Sequence, residues 1–225
     1  MIKKIKKLLY STKFIIILGL IIIPFISFLF ITISSESPLY TSISRIAWIH
    51  GFWFTTLLWS LIIMFSIAWI TYRMTVTGPL ADRSKKIFII CQLVNIILVF
   101  IGCIIFPAKQ DAENVLFINH LHDYLTIIGW GLYGIGLIAY SALIRKKDRF
   151  LGFLGLGIMS FIVFSSVFFI SRVVDPNSYV GASAVSEVYI INSLFIFLIF
   201  MYVAQQYAER LKKAEINSPE KDTNI

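Results

Sequence analysis

The chain has 225 residues, of which 58% are hydrophobic, 16% aromatic and only 14% charged, and it carries a formal net charge of +8. A soluble domain of this size has roughly a quarter of its residues charged, and a chain this short cannot hide six long apolar blocks from water. Cytosolic enzymes, secreted disulfide scaffolds and disordered proteins are excluded together.

Uncharged stretches of about 17–25 residues, the length of helix that crosses some 30 Å of hydrocarbon, recur six times. They run Phe14–Ile33, Ala47–Tyr72, Ile87–Phe106, Tyr124–Ile144, Phe150–Ser171 and Val188–Ala204. In lipid only helices and closed barrels satisfy every backbone group, and continuous apolar runs without period-2 alternation select helices. The expectation is an all-α polytopic membrane protein: one six-helix transmembrane domain over residues 1–216, with a polar tail, 217–225, expected to be disordered.

The first span follows a Lys-rich start, as a signal peptide would. Its apolar run is longer than a typical h-region, and Ile33-Ser34-Ser35-Glu36-Ser37 lacks an Ala-type small-x-small site, so a retained anchor is expected. Pro24 within it should kink the helix or be accommodated by its neighbours.

Lys and Arg are distributed unevenly between the connections. With six spans, the N-terminus, the second–third and fourth–fifth connections and the tail share one side, and they hold roughly 17 of the 20 bases. Arg45, Lys109 and Arg172 are alone on the other side. Both termini are therefore expected to be cytoplasmic. The sequence pI of about 9.5 then has a topogenic origin. Anionic lipid headgroups are the expected partners of these bases, and nucleic acid is not. Ile-rich spans with Lys-rich cytoplasmic edges fit a bacterial plasma membrane.

The third span contains both cysteines, Cys91 and Cys103. Twelve residues on a helix separate them by about 18 Å, too far for a disulfide. The fourth span is rich in small residues, Gly129, Gly131, Gly134 and Gly136, and the fifth has Gly152, Gly155 and Gly157. Small residues let membrane helices approach closely, so tight packing of the fourth span on the fifth is expected. Polar residues inside spans are few: Gln92, Asn95, Asn192 and Ser193. They suit interhelical hydrogen bonds, and no acid or base stands near a span centre as a proton relay would require.

All three histidines fall at the expected outer face: His50 at the start of the second span, His120 and His122 before the fourth. Asp111, Asp123, Asp175 and Glu187 belong to the same layer. Two residues apart on a helix point about 200° apart, so His120 and His122 could share an ion only if the segment were extended; His120 and Asp123 could share a helical face. A divalent metal held by His50, His120 or His122 with an acid is one reading, and acid–base work by His120, Asp111 and Asp123 is another. The plain alternative is solvated interfacial histidines and helix-capping acids. A bis-histidine haem is the remaining option, but His50 lies about one turn beyond the outer edge of the hydrocarbon near Trp53, whereas haem ligands usually sit within a bundle.

Six spans with both ends inside, an outer first loop reading Ser37-Pro38-Leu39-Tyr40-Thr41-Ser42-Ile43-Ser44, and Phe106-Pro107 followed by Asp111 and His120 together carry a resemblance. The chain resembles the bacterial membrane family of unknown function grouped with the Frag, DRAM and Sfk proteins. That resemblance implies lipid-anchor remodelling, lipid distribution or membrane trafficking as the functional neighbourhood. It carries over only Pro107, Asp111 and His120, with no catalytic role attached. Two functions stand side by side: a membrane protein that binds lipid or a membrane partner, and an outer-leaflet lipid-headgroup hydrolase or transferase in which His50, His120 and Asp123 bind a metal or act as acid and base.

Overall fold

The computed structural model describes residues 11–34, 42–48, 51–106, 117–173 and 184–217. Among these residues there are helices and short turns but no strand, and six of the helices are long and apolar enough to cross a membrane. We label the helices α1 (Thr12–Ser34), α2 (Ile43–Trp48), α3 (Trp53–Thr77), α4 (Asp82–Ile104), α5 (Phe117–Arg145), α6 (Arg149–Val173) and α7 (Ala184–Asn217). The chain is thus all-helical with multi-pass membrane character. All of the expected tail except Asn217 lies outside the described residues.

Within α1 the ladder widens into a π turn over Leu18–Ile22, immediately before Pro24. Proline lacks the N–H that Leu20 would otherwise accept, and its ring would press on that carbonyl. The π turn, in which Ile23 N–H bonds Leu18 O, gives the ring room without a break. Gly19 lies in this turn against α7, where a Cβ would overlap the Ile199 side chain. Farther along, Trp59 Nε1 donates to Ser27 Oγ at 3.2 Å. The Phe30 and Trp59 rings stack 4.9 Å apart, fixing α1 on α3.

The apolar run expected as the second span, Ala47–Tyr72, is interrupted before Trp53, and the helix that follows continues to Thr77. Gly51 has φ of 77°, a left-handed conformation that side-chain-bearing residues rarely adopt. Phe52 N–H turns back to Ile46 O at 3.3 Å. The apolar run is thereby divided into short α2, whose Ile43, Ile46 and Ala47 are buried, and membrane-length α3. The sixth span also runs past the expected Ala204, because Gln205–Ala214 is built largely of good helix formers that need no lipid to remain helical.

Helices α3, α4, α5, α6 and α7 each pack against the next, and α7 returns to α3, closing a ring. Helix α1 lies against α3 and α7. The expected close approach of the fourth and fifth spans is present: a Cβ on Gly152 would overlap the Arg145 backbone, and Gly155 packs on Ser141. The glycines of the fourth span, however, serve the third. Gly129 abuts Asn95 O and Val99, and Gly136 abuts the Gln92 amide, while Gly131 and Gly134 face open space. Residues 129 and 136 are seven apart and share a helix face; residues 131 and 134 lie on others.

Two hydrogen-bonded chains cross the ring through α5. Tyr133 and Tyr140, both wholly buried, also stand seven residues apart on one face. The Tyr133 hydroxyl pairs with Thr71 Oγ1 of α3 at 2.7 Å. Its carbonyl accepts from Gln92 Nε2 of α4 at 3.0 Å, and Gln92 Oε1 accepts from Asn95 Nδ2 at 3.1 Å. The Tyr140 hydroxyl donates to Met74 O at 3.1 Å and accepts from Gln205 Nε2 of α7 at 3.0 Å. Gln92 therefore makes the interhelical bond expected of it, while Asn95 bonds within its own helix.

Two stability measurements follow. Gly152→Val should lower stability in detergent by about 1–3 kcal/mol through overpacking against the Arg145 backbone. Gly157→Ala on the same helix, where nothing stands within 4 Å of a Cβ, should be neutral or stabilising by up to about 1 kcal/mol. A double-mutant cycle of Thr71→Val and Tyr133→Phe should return a coupling of about 0.6 kcal/mol, reaching at most roughly 1.7.

Candidate functional site

The end of the bundle where α4 finishes and α5 begins is the place to look for the histidine layer. The backbone of residues 117–123 is helical, so the Asn119-His120-Leu121-His122-Asp123 segment takes the helical rather than the extended alternative. His122 is the one of the three histidines whose side chain is described. It is buried, at 5% exposure, and its Nδ1 lies 2.7 Å from Gly102 O and 3.2 Å from Phe106 O.

Carbonyl oxygens only accept, so Nδ1 carries the proton. Gly102 is in the last turn of α4, whose terminal carbonyls have no intrahelical donor. Trp53 Nε1 of α3 serves the same end, donating to Ile104 O at 3.2 Å. Gly102 permits the approach, because a Cβ there would press on Thr126 and Leu125 of α5. Cys103 Sγ and Thr126 Oγ1 lie beside it at 3.6 Å. His122 is thus a structural clasp that fastens the start of α5 to the end of α4.

The remaining candidate residues divide by what the structure describes. His50 and Asp111 lie outside the described residues, as does Pro107. The backbones of His120 and Asp123 belong to the first turns of α5, but their side chains lie outside the description. Among the described residues no three His, Cys, Asp or Glu side chains are grouped to hold a metal ion. Glu187, in the first turn of α7, accepts the Ile43 N–H through Oε2 at 2.9 Å. Its charge meets the positive end of α2, a favourable charge–dipole contact.

The opposite end gathers basic residues. Arg73 donates to the Tyr202 hydroxyl at 2.9 Å, with its guanidinium carbon 5.6 Å from that ring's centre. Lys85 Nζ donates to Val76 O at 2.9 Å, closing the C-terminal turn of α3. The sequence reading missed this end as a place of specific structure, and also missed Tyr133 and Tyr140. A tyrosine in an apolar span reads as an interfacial or packing residue, and only the approach of α3 and α7 supplies its partners.

No protein-family model, curated protein or solved structure matches the chain.

The clasp yields a direct measurement. His122→Ala leaves the α4 carbonyls without their donor and should cost about 1–3 kcal/mol of stability in a thermal or denaturant titration. Trp53→Phe, which removes one neutral hydrogen bond and keeps most of the ring, should cost about 1 kcal/mol.

Proposed function

We propose that this chain is an integral membrane protein that binds lipid and performs no chemistry within its bundle. One observation carries the reading. The buried hydrogen bonds between α3, α4, α5 and α7 run from side chain to side chain or to backbone carbonyls, as cement between helices. No acid or base stands near the centre of a span. Outward, α3, α5 and α6 present large apolar side chains, including Phe65, Ile127, Phe161 and Phe164, to what would be acyl chains. In this reading both termini are cytoplasmic by the positive-inside distribution, the His and acid layer faces outward, and the membrane is a bacterial plasma membrane. The resemblance to the family grouped with the Frag, DRAM and Sfk proteins agrees with a role in lipid handling.

One observation favours a second reading. By gripping Gly102 O and Phe106 O, His122 keeps the turn that carries His120 and Asp123 next to the residue preceding Pro107. An outer-leaflet headgroup hydrolase or transferase would use His50, His120 and Asp123 there, as metal ligands or as acid and base, with Asp111 orienting a histidine.

Metal analysis of the purified protein, paired with phospholipid turnover in reconstituted vesicles, separates the two. The lipid-binding reading expects co-purified phospholipid, metal well below one ion per chain, and no change in either with His120→Ala. One bound ion per chain that is lost in His120→Ala, together with headgroup release, would overturn it in favour of the enzyme.

A further inference from the structure

The turn between α5 and α6 carries Arg145, Lys146, Lys147 and Arg149 around one acid, Asp148. Arg145, Lys146, Arg149 and Phe153 line an open groove of about 300 Å³. The Arg145 guanidinium carbon stands 5.3 Å from the centre of the Phe153 ring. This is a cation–π contact, and the five N–H donors of a guanidinium suit it to meeting anionic oxygens.

Asp148 is held at the start of α6. Its Oδ1 accepts the Leu151 N–H at 3.1 Å, capping α6, and its Oδ2 lies 4.0 Å from Lys212 Nζ. Beside the groove, Gly152 packs directly on the Arg145 backbone. It sits where two membrane-length helices meet. The flanking surface is apolar: Phe150 is 73% exposed and Phe153 59%, with Leu143 exposed on the last turns of α5.

We infer that this groove holds the phosphate of an anionic phospholipid. Arg145 and Arg149 bind the phosphate oxygens, where a guanidinium offers two parallel donors. Lys146 contacts the headgroup, and the acyl chains run along Phe150, Phe153 and Leu143. A free anion would be drawn by the same charge but would leave the apolar wall unused; the wall commits the groove to a lipid. The inference rests on the lipid-binding reading and gives it a location.

The test titrates the detergent-purified full chain with phosphatidylglycerol and with phosphatidylcholine of matched chains, counting bound lipids by native mass spectrometry. The wild-type chain should prefer phosphatidylglycerol. Each base near a membrane surface contributes about fivefold to binding an anionic lipid, so Arg145→Gln with Arg149→Gln should weaken the first bound phosphatidylglycerol about 25-fold. Arg83→Gln with Lys86→Gln removes the same charge from exposed positions on α4 and should leave that lipid bound. Where the double variant fails to fold, Arg149→Gln alone, at the exposed start of α6, should weaken it about fivefold.

Unchanged binding in the groove variants overturns the inference. Equal losses in both pairs also overturn it, since they show diffuse surface charge, and so does displacement by millimolar glycerophosphate, which shows a free-anion site. None of these results bears on co-purified phospholipid, metal content or headgroup release, by which the lipid-binding reading itself is judged.

Discussion

A carbonyl in the last turn of a helix has no amide of its own helix to bond, and hydrocarbon offers no water in its place. Much of this bundle is organised by how that demand is met. At one end of α4, His122 of α5 and Trp53 of α3 supply the donors. At the end of α3, Lys85 of α4 reaches Val76 O and Tyr140 of α5 reaches Met74 O. The complementary demand, for acceptors at first-turn amides, is met by Glu187 at α2 and Asp148 at α6. In most of these pairs donor and acceptor belong to different helices. Closing a helix end therefore also sets how far one helix may slide along the next.

Between the ends, apolar packing cannot choose partners well, because a lipid tail is as apolar as a leucine. Choice comes from shape and from the few polar groups. Helix α5 uses both. Its glycine face, Gly129 and Gly136, lies close on α4, and its tyrosine face, Tyr133 and Tyr140, reaches α3 and, through Gln205, α7. The two devices are coupled at Gln92. Its amide lies in the space a Cβ on Gly136 would fill, and from there it donates to the Tyr133 carbonyl. A side chain at position 136 would displace the hydrogen bond as well as the helix.

These couplings explain what could be read in advance. Six spans were legible because length and hydropathy are properties of a segment by itself. Their ends were less so: Gly51 cuts the second apolar run although every neighbour would tolerate a helix, and α7 continues past the apolar run because helix formers outlast hydrophobicity. The partner of the Gly129 and Gly136 face was misassigned to the neighbouring fifth span. Small residues announce that something packs closely, not which helix it is. His122 was grouped with the other histidines by position along the chain. Its actual partners are carbonyls about 16 to 20 residues earlier, whose need for a donor arises only once α4 has formed and stopped.

Charge shows the same limit most plainly. Counted along the chain, the segments that join α3 to α4 and α5 to α6 are equivalent, each with four bases: Arg73, Arg83, Lys85 and Lys86 in one, Arg145, Lys146, Lys147 and Arg149 in the other. For membrane orientation they are equivalent, since sidedness depends on the number of bases near a span. Folding makes them different. In the first, Arg73 is bound to Tyr202 and Lys85 to a carbonyl of α3, so half of the charge is engaged in holding helices. In the second, the acid is turned to the start of α6 and to Lys212, while three of the bases converge with Phe153 on one groove. A count of charges predicts attraction to any anionic surface. Only the placement of the charges makes one of these segments a set of helix contacts and gives the other a groove.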